Sequence, residues 1–586
     1  MSNPRTPRNQ TRPTSGPDGV PAPPDSSNVP RRQFLAALSS VGLAGGLFPG
    51  VLWARVQDAT EITAEMIAEA EKIVGLSFSA EQRAMMVERL RAHRDSFDAI
   101  RRSDVPPEVA LPFHFDPRPP IAVLPSGPSF VRPSEPVSIP DPGRRVDVAF
   151  ASLGELGGLL RNRSVSSLEL TRLYLDRLRR FSPELECLVT LTQELALEQA
   201  AEADRELDAG EIRGPLHGIP WGAKDLLATR GYPTTWGATP FRDQVIERDA
   251  TLVRRLRDAG AVLVAKLAMG ALARGDRWFG GRTRSPWNLA RGSSGSSAGS
   301  AAATSAGLVG FSIGSETVGS IVSPSTRCGA TGLRPSFGRV SRYGAMTLSW
   351  TMDKLGQICR SAEDCALVLS AIQGPDGLDR AVQDVPFAWD GDRGLEGIRV
   401  GYLERAFQTP GPSQTIDLAA LSTLQEIGAQ LQPVSFPEGF PLSALRLTLD
   451  VEAAASFDDL TRSGRDALLV EQGAMNWPNT FRTARLIPAV EYLQANRVRA
   501  MLMQAVDEAW RDVDVVVTPT FTDGIVLATN LTGHPVVVSP AGFLPDRTPS
   551  SISFLGALWK DAEALHVAKA FQEATGHHLR RPPSFS

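Results

Sequence analysis

Five short runs, AVLVAK (261–266), VGFSIG (309–314), IRVGY (398–402), DVVVTP (514–519) and PVVVSP (535–540), set the strongest limit on how this chain can fold. Each is short, apolar and without strict polar alternation, so each reads as a strand buried on both faces. Helical stretches separate them, among them the amphipathic run VSSLELTRLYLDRLRRF with its serine cap. Buried strands alternating with helices predict an α/β fold: a large mixed β-sheet covered by helices on both faces, with an N-terminal helical appendage. No internal repeat is visible.

Composition narrows the function classes. The chain has 586 residues, 42% hydrophobic and 22% charged, enough to bury a large core. A net charge of −4 without a Lys/Arg-rich stripe gives no footprint for nucleic acid. Four cysteines (Cys187, Cys328, Cys359, Cys365) lack paired metal spacing and are too few for a disulfide framework. The seven histidines are scattered apart from His577-His578, which argues against a His-based metal site.

The first quarter of the chain divides into three parts. Residues 1–56 combine a Pro/Ser/Asn/Arg-rich start with RRQFLAALSSVGLAGGLFPGVLWA, an arginine pair (Arg31-Arg32) followed by an uncharged small-residue apolar run. That pattern looks like a twin-arginine export signal cleaved near Ala54, with the translocation machinery as a transient partner and a periplasmic or secreted destination. The alternative is an N-terminal membrane anchor, although the glycines and proline weaken a spanning helix. Residues 57–105 read as two helices with caps at Thr63 and Ser79, the second with Gln82 completing a capping box. Twelve prolines between Pro106 and Pro142 predict an extended strap over 106–146. The main domain is expected over 147–582.

Three segments could carry chemistry. GPLHGIPWGAKDLLATRG holds Lys224-Asp225. RGSSGSSAGSAAATSAG starts at Arg291. GSETVGSIVSPSTRCGATGLRPSFGRVSRYG places Ser320 after an apolar strand. Singly each has a bland reading: a surface pair, a Gly/Ser linker, a turn serine. Gly295-Ser296-Ser297-Ala298-Gly299 also fits a nucleophile elbow, but SPWNLAR ahead of it contains Pro286 and no β-branched residue, a poor elbow strand. The Gly-Lys-Ser/Thr of a phosphate loop is missing.

Taken together, and with TMDKLGQICRSAEDCALVLSAIQGPD, DVDVVVTPT and NLTGHPVVVSPAG further on, these segments resemble the amidase signature family over roughly residues 148–580. The resemblance implies a serine amidohydrolase that cleaves a small-molecule amide and uses no metal or organic cofactor. By position it implies Ser320 as nucleophile, Ser296 as the serine held on a cis peptide bond, and Lys224 as the catalytic lysine. The chemistry suits them: a serine hydroxyl needs a base within reach. A lysine serves as base only when burial lowers its pKa from near ~10.4. The N–H groups of Thr317, Val318, Gly319 and Ser320 are the expected oxyanion donors.

Two departures stand out. Val318 replaces the usual glycine, which would strain the loop if φ is positive there. Val322 replaces the arginine of many members. With Trp221 it suggests a pocket for a neutral, partly apolar acyl group. His217 reads as a structural hydrogen-bonding residue and Cys328 as core. Two rival readings follow the same family: an ammonia-releasing amidotransferase A-type subunit that works with partner subunits, and a non-catalytic binding protein on this fold. The export signal weighs against the first and the intact triad against the second.

Overall fold

The computed structural model describes residues 61–101, 114–119, 124–135, 143–522 and 524–586. The arginine pair and the apolar run after it lie outside these residues. The chain divides into two units at Ser103/Asp104. In the first, α1 (Ala64–Val74) and α2 (Ala80–Arg101) pair with one another. Thr63 caps α1 by accepting from Met66 N–H. Ser79 and Gln82 exchange hydrogen bonds of 2.7 and 3.2 Å, the reciprocal capping box that their spacing predicts. Glu71 on α1 is gripped by Arg83 on α2 at 2.8 Å.

The second unit is built on one sheet of eleven strands. In chain order these are β1 (Leu188–Leu191), β2 (Pro220–Lys224), β3 (Val262–Leu267), β4 (Phe311–Glu316), β5 (Thr331–Arg334), β6 (Lys354–Cys359), β7 (Val400–Leu403), β8 (Leu431–Val434), β9 (Val515–Pro519), β10 (Val536–Phe543) and β11 (Pro549–Gly556). Across the sheet they run β8-β7-β9-β11-β10-β5-β6-β4-β2-β3-β1. β2 lies parallel to both β3 and β4, while β4–β6, β5–β6, β5–β10, β10–β11 and β9–β11 are antiparallel, so the sheet is mixed as the sequence predicts.

Adjacent residues on β5 show that both faces are covered. An added Cβ at Gly332 would press on Ser325, in helix Val322–Cys328, while Thr331 Oγ1 accepts from Gln572 at 2.8 Å, in helix Asp561–Thr575. A Cβ at Gly299 would meet the Cys187 carbonyl, so the small-residue helix Ala298–Ser305 packs closer to the sheet than any larger residue would allow. All four cysteines are free and buried, and burial pushes the Cys187 thiol up to about 12.

The strap differs from expectation where it is described. Phe130–Arg132 is a short strand parallel to Ala388–Asp390, because three residues free of proline suffice for one ladder. The first helix of the main unit begins at Arg145. Among the described residues no helix is long and apolar enough to cross a membrane.

Candidate active site

Lys224 closes β2, and its side chain is fully buried. Its ammonium lies 2.8 Å from Ser296 Oγ, 3.0 Å from Ser297 Oγ and 2.8 Å from Ser315 Oγ, with the Ser315 carbonyl at 3.3 Å. No carboxylate is bonded to it: the adjacent Asp225 pairs with Lys266 at 3.0 Å instead. Burial therefore dominates and brings the lysine down to about 7, with Asp353 and Glu316 pulling the other way.

Ser296 follows a cis Gly295–Ser296 peptide. Gly295 has no alternative here, since a Cβ would overlap the Gly275 carbonyl oxygen. Ser297 N–H donates to the Ser320 carbonyl at 3.1 Å, and this bond joins the Gly/Ser-rich stretch to the loop after β4. The hairpin Arg284–Ser285/Asn288–Gly292 precedes this stretch, outside the main sheet. The residue pattern alone predicts no strand in this segment. An elbow would need a central strand there, so Ser297 is not on one.

Ser320 sits between β4 and helix Val322–Cys328 and is 7% exposed. The N–H groups of Val318, Gly319 and Ser320 find no acceptor among the described residues, so they remain available to a ligand. Within this loop only Gly319 has a positive φ, 77°. Val318 is therefore unstrained, because the left-handed turn falls one residue later, on glycine.

Two carboxylates that sequence reasoning does not single out hold this loop. Glu316 Oε2 accepts the N–H groups of Ile321 (2.8 Å) and Val322 (3.0 Å), while Oε1 accepts from Arg334 and Asn530, both at 2.7 Å. Burial opposes its charge, but Arg334, Asn530 and the two amides prevail and hold the carboxyl at about 2. Asp353 Oδ1 accepts from Thr317 Oγ1 at 2.6 Å. An acid at the end of an apolar strand, four residues before Ser320, is the available signal, because a buried charge needs partners.

A cavity of about 70 Å³ opens beside the loop, lined by Ser315, Thr317 and Asp353 and by Leu226, Ala273, Met346, Leu348, Trp350 and Leu355. Arg342, also on its wall, is clasped by Asp379 at 2.7 and 3.0 Å and donates to the Trp350 carbonyl at 2.7 Å. The two residues expected to line the acyl pocket lie elsewhere. Trp221 is buried, stacks on Phe311 at 6.1 Å between centroids, and faces a separate cavity lined by Leu195, Gln199 and Val253. Val322 is sunk in the core at the start of its helix, its N–H tied to Glu316. His217 Nδ1 accepts from Arg213 N–H at 3.1 Å and its other nitrogen lies 3.1 Å from Glu206, a structural role. Among the described residues no group of three or more His, Cys, Asp or Glu could hold a metal ion.

The site is thus a buried lysine bonded to two serines of a Gly/Ser-rich loop, set in a mixed sheet covered on both faces. The chain belongs to the amidase signature family: the Amidase family model matches residues 169–528. It is 32% identical over 486 residues to the A subunit of glutamyl-tRNA(Gln) amidotransferase from Moorella thermoacetica, covering 75% of this chain and 99% of that relative. The corresponding protein from an Azoarcus species is 34% identical over 487 residues, covering 74% and 99%. Among solved structures, the peptide amidase of Stenotrophomonas maltophilia superposes with a TM-score of 0.65 at 29% identity, covering 74% and 98%. These sequence relatives carry the name of the amidotransferase component that stands above as the first rival reading.

Proposed function

We propose that this protein cleaves an amide C–N bond through an acyl-enzyme on Ser320. The observation that carries the reading is a fully buried Lys224 with no carboxylate bonded to it, 2.8 Å from Ser296 Oγ. Neutral Lys224 accepts the proton that Ser320 Oγ releases, passed through Ser296 Oγ, as the serine oxygen attacks the amide carbonyl. The oxyanion of the tetrahedral intermediate is received by the N–H groups of Thr317, Val318, Gly319 and Ser320. On collapse the C–N bond breaks, and the leaving nitrogen takes the proton back from the Lys224 ammonium through Ser296. Water then attacks the ester, with the same relay accepting its proton, and releases the acid and Ser320.

For the acyl group we propose a neutral, partly apolar amide. The cavity wall is largely apolar, and its one lining cation, Arg342, is already neutralised by Asp379. The relatives favour a second reading, an amidotransferase component that releases ammonia from an amide for its partner proteins. Both readings share the acyl-enzyme step and part at the substrate. The purified chain alone, offered a panel of neutral amides and glutamine, decides between them: turnover restricted to glutamine and dependent on added partners would remove the free-standing amidase. We further propose twin-arginine export, on the strength of the Arg31-Arg32 run.

A further inference from the structure

We propose that Asp353 is a positioning residue that ties the oxyanion loop to the wall of the substrate cavity. This rests on the acyl-enzyme reading above. Asp353 immediately precedes β6, whose ladder with β4 ends at the pair Lys354–Glu316, so Asp353 and Thr317 are the next residues beyond that ladder. Thr317 Oγ1 donates to Asp353 Oδ1 at 2.6 Å. The other oxygen, Oδ2, accepts the N–H groups of Leu348 at 2.8 Å and Ser349 at 2.9 Å, both on the cavity wall. That wall is anchored in turn, since Ser349 Oγ donates to Glu452 at 2.6 Å. One carboxylate thus fixes the loop that must present its N–H groups to the oxyanion and the wall that must seat the acyl group. Donors placed in advance are what oxyanion stabilisation requires.

The test uses two probes on the full chain: hydrolysis of 4-nitroacetanilide, and the rate of Ser320 phosphonylation by a fluorophosphonate. Asp353→Asn keeps the side chain's size and its acceptor toward Thr317 while removing the charge. With the tie to the cavity wall weakened, its plateau rate should fall below that of wild type. Thr317→Val should lose roughly tenfold or more in plateau rate with the limb unmoved, and Thr317→Ser should recover most of it. An Asp353→Asn profile superimposable on wild type, or a Thr317→Val as fast as wild type, overturns the inference. If Asp353→Asn does not fold, the Val and Ser variants at 317 decide it: loss with recovery supports the tie, equal rates refute it. A wild type that neither hydrolyses the anilide nor takes up the phosphonate at Ser320 overturns the acyl-enzyme reading itself, and this inference with it.

Discussion

The N–H of Ser297 donates to the carbonyl of Ser320 at 3.1 Å. That single bond holds the neighbour of Ser296 against the backbone of Ser320, so the side chain of Ser320 can be removed without loosening the junction. Ser320→Ala should therefore melt like wild type and lose all amide turnover. A fluorophosphonate should label wild type at Ser320 and leave the variant blank. Label on Ser297 in the variant's place would return the elbow reading.

With Lys224 at about 7, kcat/KM should rise with pH through that value and then level off, because the base works only when neutral. A rate flat from pH about 6 to 10, with chemistry limiting, would remove Lys224 from the base role.

The same shift has a stability sign. The folded pKa of about 7 lies below the ordinary value of 10.5, so between them the unfolded chain holds a proton that the folded chain has released. Stability conferred by this position rises with pH across that window, and below it the lysine penalises the folded state by about a few kcal/mol. The unfolding free energy of wild type should gain on that of Lys224→Met from pH 7 to 10 in parallel denaturant titrations. A constant difference would refute the shift.

Glu316→Ala strands a fully buried Arg334 and frees the amides of Ile321 and Val322. A loss of about 3–5 kcal/mol is expected, read as a lower denaturation midpoint. A variant as stable as wild type would mean that solvent reaches Arg334.

Val322→Arg would place a cation in the core beside Glu316, a carboxylate already taken up by Arg334, so it should fail to fold stably rather than acquire acidic substrates. Substrate choice is better read on wild type, as kcat/KM for a neutral amide against its carboxylated analogue. A preference for the carboxylated amide would sink the neutral-acyl proposal.

Much of this molecule is legible in its sequence, for a physical reason. The five apolar runs are β3, β4, β7, β9 and β10 within about three residues at either end, because β-branched residues buried on both faces have few other options. β2 escapes such a reading, although it carries Lys224. PWGAK has proline, glycine and lysine where a strand should show valine, and only its position between β3 and β4 makes it one. Ser296 and Ser320 are singled out by motif order. Ser315 and Asp353 are not, since their proximity to Lys224 and Thr317 is created by strand pairing and leaves no local pattern. Trp221 and Val322 fail as pocket residues because nearness in the chain does not say which way a side chain points.

The buried cysteines give this protein an internal clock for its own integrity. With the thiols free, enclosed and the one at Cys187 raised to about 12, a thiolate-directed alkylating reagent finds almost nothing to attack at neutral pH while the fold persists. Mass added by a serine-directed probe can then be counted on the intact chain without a thiol background. As the chain unfolds, alkylation of the newly uncovered thiols adds mass of a different size, so one spectrum reports both how many sites are occupied and how many molecules have come apart.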